Sequence, residues 1–126
     1  MKTAAYLLRA ATIAAALLIA TSGIAAATNY GAIAYSPSSG ARAYSTDYSS
    51  RAGAETRALN ECRARGRGCK IVMWFKNACG ALAAGNGGGW GSAWATSRQG
   101  AENRALNNCY ANADGCSVRT WACTSR

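Results

Sequence analysis

Histidine is absent from this chain of 126 residues. The absence excludes a Ser-His-Asp triad, a cysteine nucleophile activated by imidazole and a metal site with histidine ligands. Acidic residues are also scarce, so any general acid or base has to be one of five carboxylates. These five are Asp47, Glu55, Glu61, Glu102 and Asp114. The sequence therefore lacks most of the groups from which enzymes build an active site, and it names no cofactor.

Long apolar runs are absent beyond the N-terminal segment. Lys2 and Arg9 precede an apolar run from Ala10 to Ala20, and the segment ends on small residues at Ala27. This order predicts a secretory signal peptide over residues 1–27. A retained membrane helix is the alternative, but the run is mostly alanine interrupted by Thr and Ser, which fits a spanning helix poorly. We therefore expect a secreted or periplasmic protein with no transmembrane segment after cleavage.

The remaining chain, residues 28–126, has a length that suits one domain with a modest core. The whole chain has 14 basic and 5 acidic residues, and loss of Lys2 and Arg9 lowers its net charge from +9 to +7. A surface of this charge favours anionic partners without identifying one of them.

The mature chain contains an internal repeat. AETRALNEC at 54–62 and AENRALNNC at 101–109 agree at seven of nine positions when aligned at an offset of 47. Further matches extend this alignment in both directions: Cys69 with Cys116 and Trp74 with Trp121 at the same offset, and GAIA 31–34 with GALA 80–83 at an offset of 49. The sequence therefore predicts two repeats, at about 30–79 and 80–123.

Each repeat shows the same order of strand, turn, strand, helix and strand. Ser50 is a suitable N-cap for the first helix, and Ala58, Leu59 and Cys62 share one face of it. The predicted elements are strands 30–36, 43–48, 69–75, 80–85, 90–95 and 116–123, helices 51–62 and 98–109, and turns 37–40 and 86–89. We therefore predict an α+β fold, in which two tandem strand-turn-strand-helix-strand repeats with pseudo-twofold symmetry share the core of one disulfide-stapled domain.

Six cysteines follow the predicted signal peptide, and an exported protein meets an oxidising compartment, which predicts three disulfides. Each repeat has one pair of cysteines that connects the end of the helix to the start of the next strand. Two further cysteines lie outside the repeated register. The most economical of the fifteen pairings that six cysteines allow is Cys62–Cys69, Cys109–Cys116 and Cys79–Cys123. Zinc is the alternative, but structural zinc sites show tighter ligand pairs or histidine, so we expect no metal.

Several ordered motifs resemble those of a family of secreted bacterial domains of unknown function, numbered 4189. The motifs span nearly all of the mature chain: YGAIAYS, SRAGAETRALNEC, CKIVMWFKNACGALA, WGSAWATSR and CSVRTWAC. The resemblance implies a small exported domain with cysteines and without a catalytic motif that could be transferred. Some members of the family are regarded as secreted effectors. The arginine-rich stretch at 63–68 departs from the family pattern.

Glu55 and Glu102 occupy equivalent positions in the two repeats, which raises the hypothesis of a catalytic pair of carboxylates. Each follows an arginine, Arg51 or Arg98, by four residues. An exposed i,i+4 ion pair explains this recurrence without catalysis, so we favour ion pairs.

The glycine-rich stretch at 85–91 resembles a phosphate-binding loop but lacks the Gly-Lys-Ser/Thr ending, and no helix follows it directly. A hairpin tip is the better interpretation. Trp90 and Trp94 lie on one face of the following strand, where they are either part of the core or a recognition surface. We favour the core, because aromatic side chains dominate core burial.

Arg63, Arg65 and Arg67 form the most informative local feature. The equivalent stretch of the second repeat, 110–115, has no basic residue, so the fold does not require these arginines. They belong either to a solvated loop or to a site for anions such as phosphate, carboxylate or an acidic glycan. The candidate binding residues are these three arginines together with Trp90 and Trp94.

Three classes of function fit the sequence. The favoured class is a non-enzymatic binding module that docks on a protein or an anionic component of the cell envelope, as a secreted effector or an inhibitor would. The second is an envelope hydrolase that uses glutamate or aspartate. The third is a protein that binds nucleic acid or a membrane surface by charge, and nucleic acid is disfavoured because no known binding module accompanies the charge.

Overall fold

The computed structural model describes residues 28–125, and the predicted signal peptide lies outside these residues. The fold is α+β, as predicted, with two helices and two three-stranded antiparallel sheets. The elements are β1 (Tyr30–Tyr35), β2 (Arg42–Tyr48), α1 (Arg51–Arg65), β3 (Lys70–Lys76), β4 (Cys79–Ala84), β5 (Trp90–Ala95), α2 (Arg98–Tyr110) and β6 (Ser117–Cys123). The predicted strands and helices are all present, with ends that differ by a few residues.

The first sheet has the order β2-β1-β3 and the second has the order β5-β4-β6. The middle of each central strand consists of glycine and alanine around one larger aliphatic side chain, Ile33 in β1 and Leu82 in β4. Nearly every position of these two strands is buried. Small side chains suit a strand that is covered on both faces, because they let both neighbouring layers approach closely.

Each helix packs on one face of one sheet. Ser50 and Ser97 cap the two helices, since their hydroxyls accept hydrogen bonds from the amides of Gly53 and Gly100 at 3.1 Å. The buried faces consist of two alanines and one cysteine in each helix: Ala54, Ala58 and Cys62 in α1, and Ala101, Ala105 and Cys109 in α2. The predicted face of α1 is thus largely confirmed, with Leu59 partly buried at its margin.

Helix α1 is longer than predicted. It continues past Cys62 to Arg65 and ends where the amide of Gly66 donates to the carbonyl of Cys62. Arg63 and Arg65 therefore lie in the last helical turn, where positive charge complements the helix dipole.

Three apolar clusters define four layers. One cluster lies between α1 and the first sheet, a second between α2 and the second sheet, and a third between the two sheets. Alternate residues of each central strand point to different clusters, as the period of a strand requires. Ala32 and Ala34 contact the layer of α1, whereas Ile33 and Tyr35 contact the other sheet. The molecule is a sandwich of helix, sheet, sheet and helix.

Phe75 is the only phenylalanine of the chain, and it is buried between the two sheets. It pairs with Gly31 in the first sheet, and its ring lies against Gly80 of the second. A Cβ atom at Gly31 would lie 2.4 Å from Cε2 of Phe75, and one at Gly80 would lie 2.5 Å from Cδ1. The ring thus fills the space that two missing side chains leave, one in each central strand.

All three predicted disulfides are confirmed: Cys62–Cys69, Cys79–Cys123 and Cys109–Cys116. The first and third connect a helix end to the loop before the next strand. The second connects β4 to β6, where Cys79 and Cys123 are direct partners in the ladder. The zinc alternative fails for these cysteines, because a sulfur in a disulfide is not a thiolate ligand.

Gly31→Ala is expected to lower the free energy of unfolding by about 1–3 kcal/mol, the usual cost of overpacking a core. The ring of Phe75 has little room to shift, because another of its edges lies against Gly80, and the added methyl group would also lie 2.9 Å from the carbonyl oxygen of Ser45. Urea unfolding of the single variants and of Gly31→Ala with Phe75→Leu would measure the coupling. The two changes should compensate by more than about 0.5 kcal/mol, and strictly additive costs would show that this contact is not tight.

Candidate functional site

The equivalent glutamates form ion pairs, as favoured from the sequence. Arg51 donates to Glu55 at 2.6 Å, and Arg98 donates to Glu102 at 2.8 Å. The two helices cover opposite outer faces of the sandwich, so both sheets separate the two carboxylates. This geometry does not allow Glu55 and Glu102 to act together on one substrate.

The same two arginines stack on tryptophans. The guanidinium carbon of Arg51 lies 4.5 Å from the ring centre of Trp74, and that of Arg98 lies 3.6 Å from the ring centre of Trp121. An exposed cation–π contact contributes about 0.5–1 kcal/mol. The repeated glutamate, arginine and tryptophan therefore connect the first turn of each helix to the strand beside it, which is a structural role.

The other carboxylates are exposed or bonded locally. Glu61 pairs with Arg57 at 2.5 Å. Asp47 accepts hydrogen bonds from the amide of Ser125 at 2.7 Å and from its hydroxyl at 3.0 Å, which holds the end of the described chain against β2. Asp114 is exposed in the loop before β6. None of the five carboxylates is buried in a cleft beside another carboxylate.

The three arginines of the 63–68 stretch do not act as one group. Arg63, Arg65 and Arg67 are all exposed. The carbonyl of Arg67 accepts hydrogen bonds from the hydroxyls of Ser36 and Ser39, which fixes the loop to the turn between β1 and β2. Arg65 alone of the three lines a groove that contains other arginines.

Arg42 of β2 and Arg119 of β6 lie with Arg65 in that groove, which has a volume of ≈ 560 Å³. Arg65 donates to the carbonyl of Arg42 at 2.8 Å, and Arg42 donates to the carbonyl of Arg119 at 3.0 Å. The groove follows the edge of the sandwich where β2 meets β6. We call it the arginine groove, and its lining is Ser39, Gly40, Ala41, Arg42, Ala43, Tyr44, Arg65, Arg119 and Thr120.

The charge of the arginine groove is not neutralised locally. Within residues 28–125, none of its three guanidinium groups forms an ion pair with a carboxylate. Glu61 lines an adjoining groove together with Arg65 and is paired with Arg57. Arg65 donates one hydrogen bond to a carbonyl, and Arg42 and Arg119 donate two each. A guanidinium group has five N–H donors, so all three retain donors that can bind an anion.

Sequence reasoning missed Arg42 and Arg119. They are separated by 77 positions and meet only because the two sheets stack. One signal was available in the repeat alignment, because Arg119 occupies the position that corresponds to Val72 in the first repeat. An arginine that aligns with a valine indicates that the two segments differ in surface chemistry at this position.

Trp90 and Trp94 share one side of β5 but differ in environment. Trp90 is partly buried, packs against the cluster between the sheets and meets Tyr35 edge to face at 6.4 Å. Trp94 is 51% exposed, so its interpretation as a core residue is wrong. Because β5 is an edge strand of its sheet, it has a neighbouring strand on one side only, which leaves room for exposure of Trp94.

Trp94 faces a second groove, of ≈ 570 Å³, on the edge where β3 meets β5. We call this the aromatic groove, and its lining is Val72, Met73, Trp74, Phe75, Lys76 and Trp94. Trp74 is 39% exposed at its margin. The two edges of the sandwich therefore carry different chemistry, one rich in arginine and the other rich in apolar rings.

The glycine-rich stretch forms a hairpin tip, as interpreted from the sequence. Asn86–Gly88 is a single 3₁₀ turn between β4 and β5, with Gly87 at a φ of 73°. The amides of Gly85 and Asn86 donate to the carbonyls of Gly89 and Asp114 at 2.9 Å each. These amides are therefore already bonded within the protein, unlike those of a phosphate-binding loop.

Two classes of site are not found in the described part of the chain. Residues 28–125 contain no group of three or more histidine, cysteine, aspartate or glutamate side chains placed to hold a metal ion. Neither helix in this range has the length and apolar character needed to cross a membrane.

Comparison with known proteins gives a family and a structural neighbour. Residues 30–123 match the family described as domain of unknown function (DUF4189). The chain is also similar to the protein in the NMR structure of Rv1813c from Mycobacterium tuberculosis, with 33% identity and a TM-score of 0.55. The similarity covers 75% of this chain and 74% of that one. No curated protein matches the sequence.

Replacement of Glu55 and Glu102 by glutamine tests the structural role of the ion pairs. Each change should lower the free energy of unfolding by at most about 1 kcal/mol, because both pairs are partly exposed to solvent. Thermal unfolding measures the loss, and Glu61→Gln in the pair with Arg57 provides a matched control. A loss several times larger than that of the control would contradict the assignment.

Proposed function

The chain belongs to the DUF4189 family, and we propose that this member is an exported, non-catalytic module that binds an anionic partner in the arginine groove. The observation that carries the proposal is the presence of three guanidinium groups in one groove without a carboxylate partner among residues 28–125. Like charges repel one another, so such a cluster gains stability when an anion enters it.

The surrounding structure holds these groups in place. Arg42 and Arg119 project from strands of different sheets, and the hydrogen bond between them joins the two sheets at the edge. Arg65 comes from the last turn of α1, just after the disulfide-bonded Cys62. A preorganised set of donors loses little conformational entropy on binding, which favours affinity.

The two halves of the chain supply a comparison that supports a binding role. In this proposal, residues 30–79 and 80–123 are copies of one unit related by a pseudo-twofold axis. Val72 then corresponds to Arg119, and Asn112 corresponds to Arg65. Since one copy packs well without these arginines, their presence in the other is explained better by a ligand than by the fold.

We also propose that the protein is exported from the cytoplasm. The segment 1–27 acts as a signal peptide and is removed, and the three disulfides form in the oxidising compartment that the protein enters. The partner is then an acidic protein surface or an anionic component of the cell envelope. Its recognised groups are carboxylates or phosphates, which match the planar fork of arginine.

Two double variants with equal loss of charge test the groove. Arg65→Gln with Arg119→Gln should weaken binding of fluorescent poly-glutamate or polyphosphate by at least about tenfold, since bonds to charged groups contribute about 1.5–3 kcal/mol each. Arg63→Gln with Arg67→Gln should weaken it by no more than about threefold, because these exposed residues only add to the general field. Fluorescence anisotropy at about 0.15 M ionic strength measures both affinities.

Thermal unfolding of both variants should show that the fold is retained. An equal loss of affinity in the two double variants would show that net charge alone drives binding and would contradict a defined site. Unchanged binding in the Arg65 and Arg119 variant would also exclude the groove.

A further inference from the structure

We infer that the aromatic groove, on the opposite edge of the sandwich, is a docking surface for an anionic lipid membrane. This inference is independent of the arginine groove, since it depends on other residues and another edge. Its exposed aromatic residues are Trp74 and Trp94, which come from different sheets and are 39% and 51% exposed. Val72 and Met73 add apolar side chains to the lining of the groove.

The exposed rings have apolar bodies and a polar N–H group. Side chains of this kind concentrate at the boundary between lipid headgroups and acyl chains. The groove is open along the edge of the sandwich, so its rings can enter a membrane surface without any change in the backbone. Burial of such apolar area is what attaches interfacial proteins to a membrane.

Cations accompany the rings along this edge. Lys76 lines the groove, Arg51 stacks on Trp74, and Arg104 donates to the carbonyl of Trp94 at 3.2 Å. Lys70 lies 5.1 Å from the ring centre of Trp90 on the same edge. One of these cations, Arg51, also forms an ion pair with the carboxylate of Glu55, so the charges of those two groups cancel.

This arrangement complements both the apolar boundary region and the negatively charged headgroups of an anionic bilayer. Rings can enter the apolar boundary while the neighbouring cations reach anionic headgroups, and long basic side chains can extend toward those headgroups. A purely acidic polymer would use the cations and leave the rings in water. The chemistry of the edge therefore favours lipid over a soluble polyanion.

The other half of the chain shows that packing does not require this apolar surface. In the repeat alignment, Val72 and Met73 correspond to Arg119 and Thr120 on the arginine-rich edge. Trp121 corresponds to Trp74, has the same 39% exposure and carries a stacked arginine in the same way. The two edges thus differ mainly in the residues beside a shared tryptophan, which provides a matched control.

Co-flotation with vesicles tests the inference. The protein with residues 28–126 should bind vesicles of phosphatidylcholine with phosphatidylglycerol and should bind neutral phosphatidylcholine vesicles at least about tenfold more weakly. Binding should shift the tryptophan emission to shorter wavelength, because rings leave water. Trp94→Ala should reduce the affinity by at least about tenfold.

Comparison of Trp74→Ala with Trp121→Ala distinguishes a specific docking surface from a general effect of removing a tryptophan ring. Trp74→Ala should weaken vesicle binding, whereas Trp121→Ala should change it by less than about twofold, since rings outside the site contribute little. The variant Arg65→Gln with Arg119→Gln should keep the emission shift, which distinguishes this site from the arginine groove.

Equal losses in Trp74→Ala and Trp121→Ala would overturn the inference. So would equal binding to neutral and anionic vesicles, or binding of vesicles that Trp94→Ala does not weaken. Analytical ultracentrifugation supplies a further check: a dimer that Trp94→Ala dissociates would show that a second copy of the chain, and not a membrane, covers this edge.

Discussion

The burial of Phe75 between Gly31 and Gly80 is the contact on which the rest of the structure depends. Each central strand gives up one side chain, and one ring fills both spaces. Because the ring belongs to the first sheet and lies against the second, it fixes the distance and the alignment of the two sheets. The alanine-rich helices then need only cover the outer faces.

Fixed alignment of the sheets determines what the two edges present. Where β2 meets β6, Arg42 and Arg119 come together and Arg65 joins them from α1. Where β3 meets β5, Trp74 and Trp94 of different sheets line one groove. Neither surface exists in one sheet alone, so a change that separated the sheets would remove both of them. Each disulfide lies within the layers of one sheet and its helix, and the two sheets are held together by apolar packing with a few hydrogen bonds, such as that from Arg42 to the carbonyl of Arg119.

The sequence predicted what depends on local pattern and on the repeat. The cap at Ser50, the buried face of α1 and the three disulfides were predicted in this way, and each was confirmed. The arginine groove was out of reach, because Arg42 and Arg119 are distant in sequence and meet only through sheet stacking. Trp94 was misjudged because sequence patterns do not show which strand lies at the edge of a sheet. The arginine-rich stretch was identified correctly as asymmetric, but the helix continued through it and directed only Arg65 toward the other arginines.

The central claim is that one rigid body presents two separate recognition edges. Nitrogen–proton correlation spectra of isotope-labelled protein test it most directly, with poly-glutamate and anionic bicelles added in separate titrations. Poly-glutamate should shift the amides of β2, β6 and the end of α1, while bicelles should shift those of β3 and β5. Shifts that coincide for the two additives, or that spread over the outer faces of both helices, would contradict it.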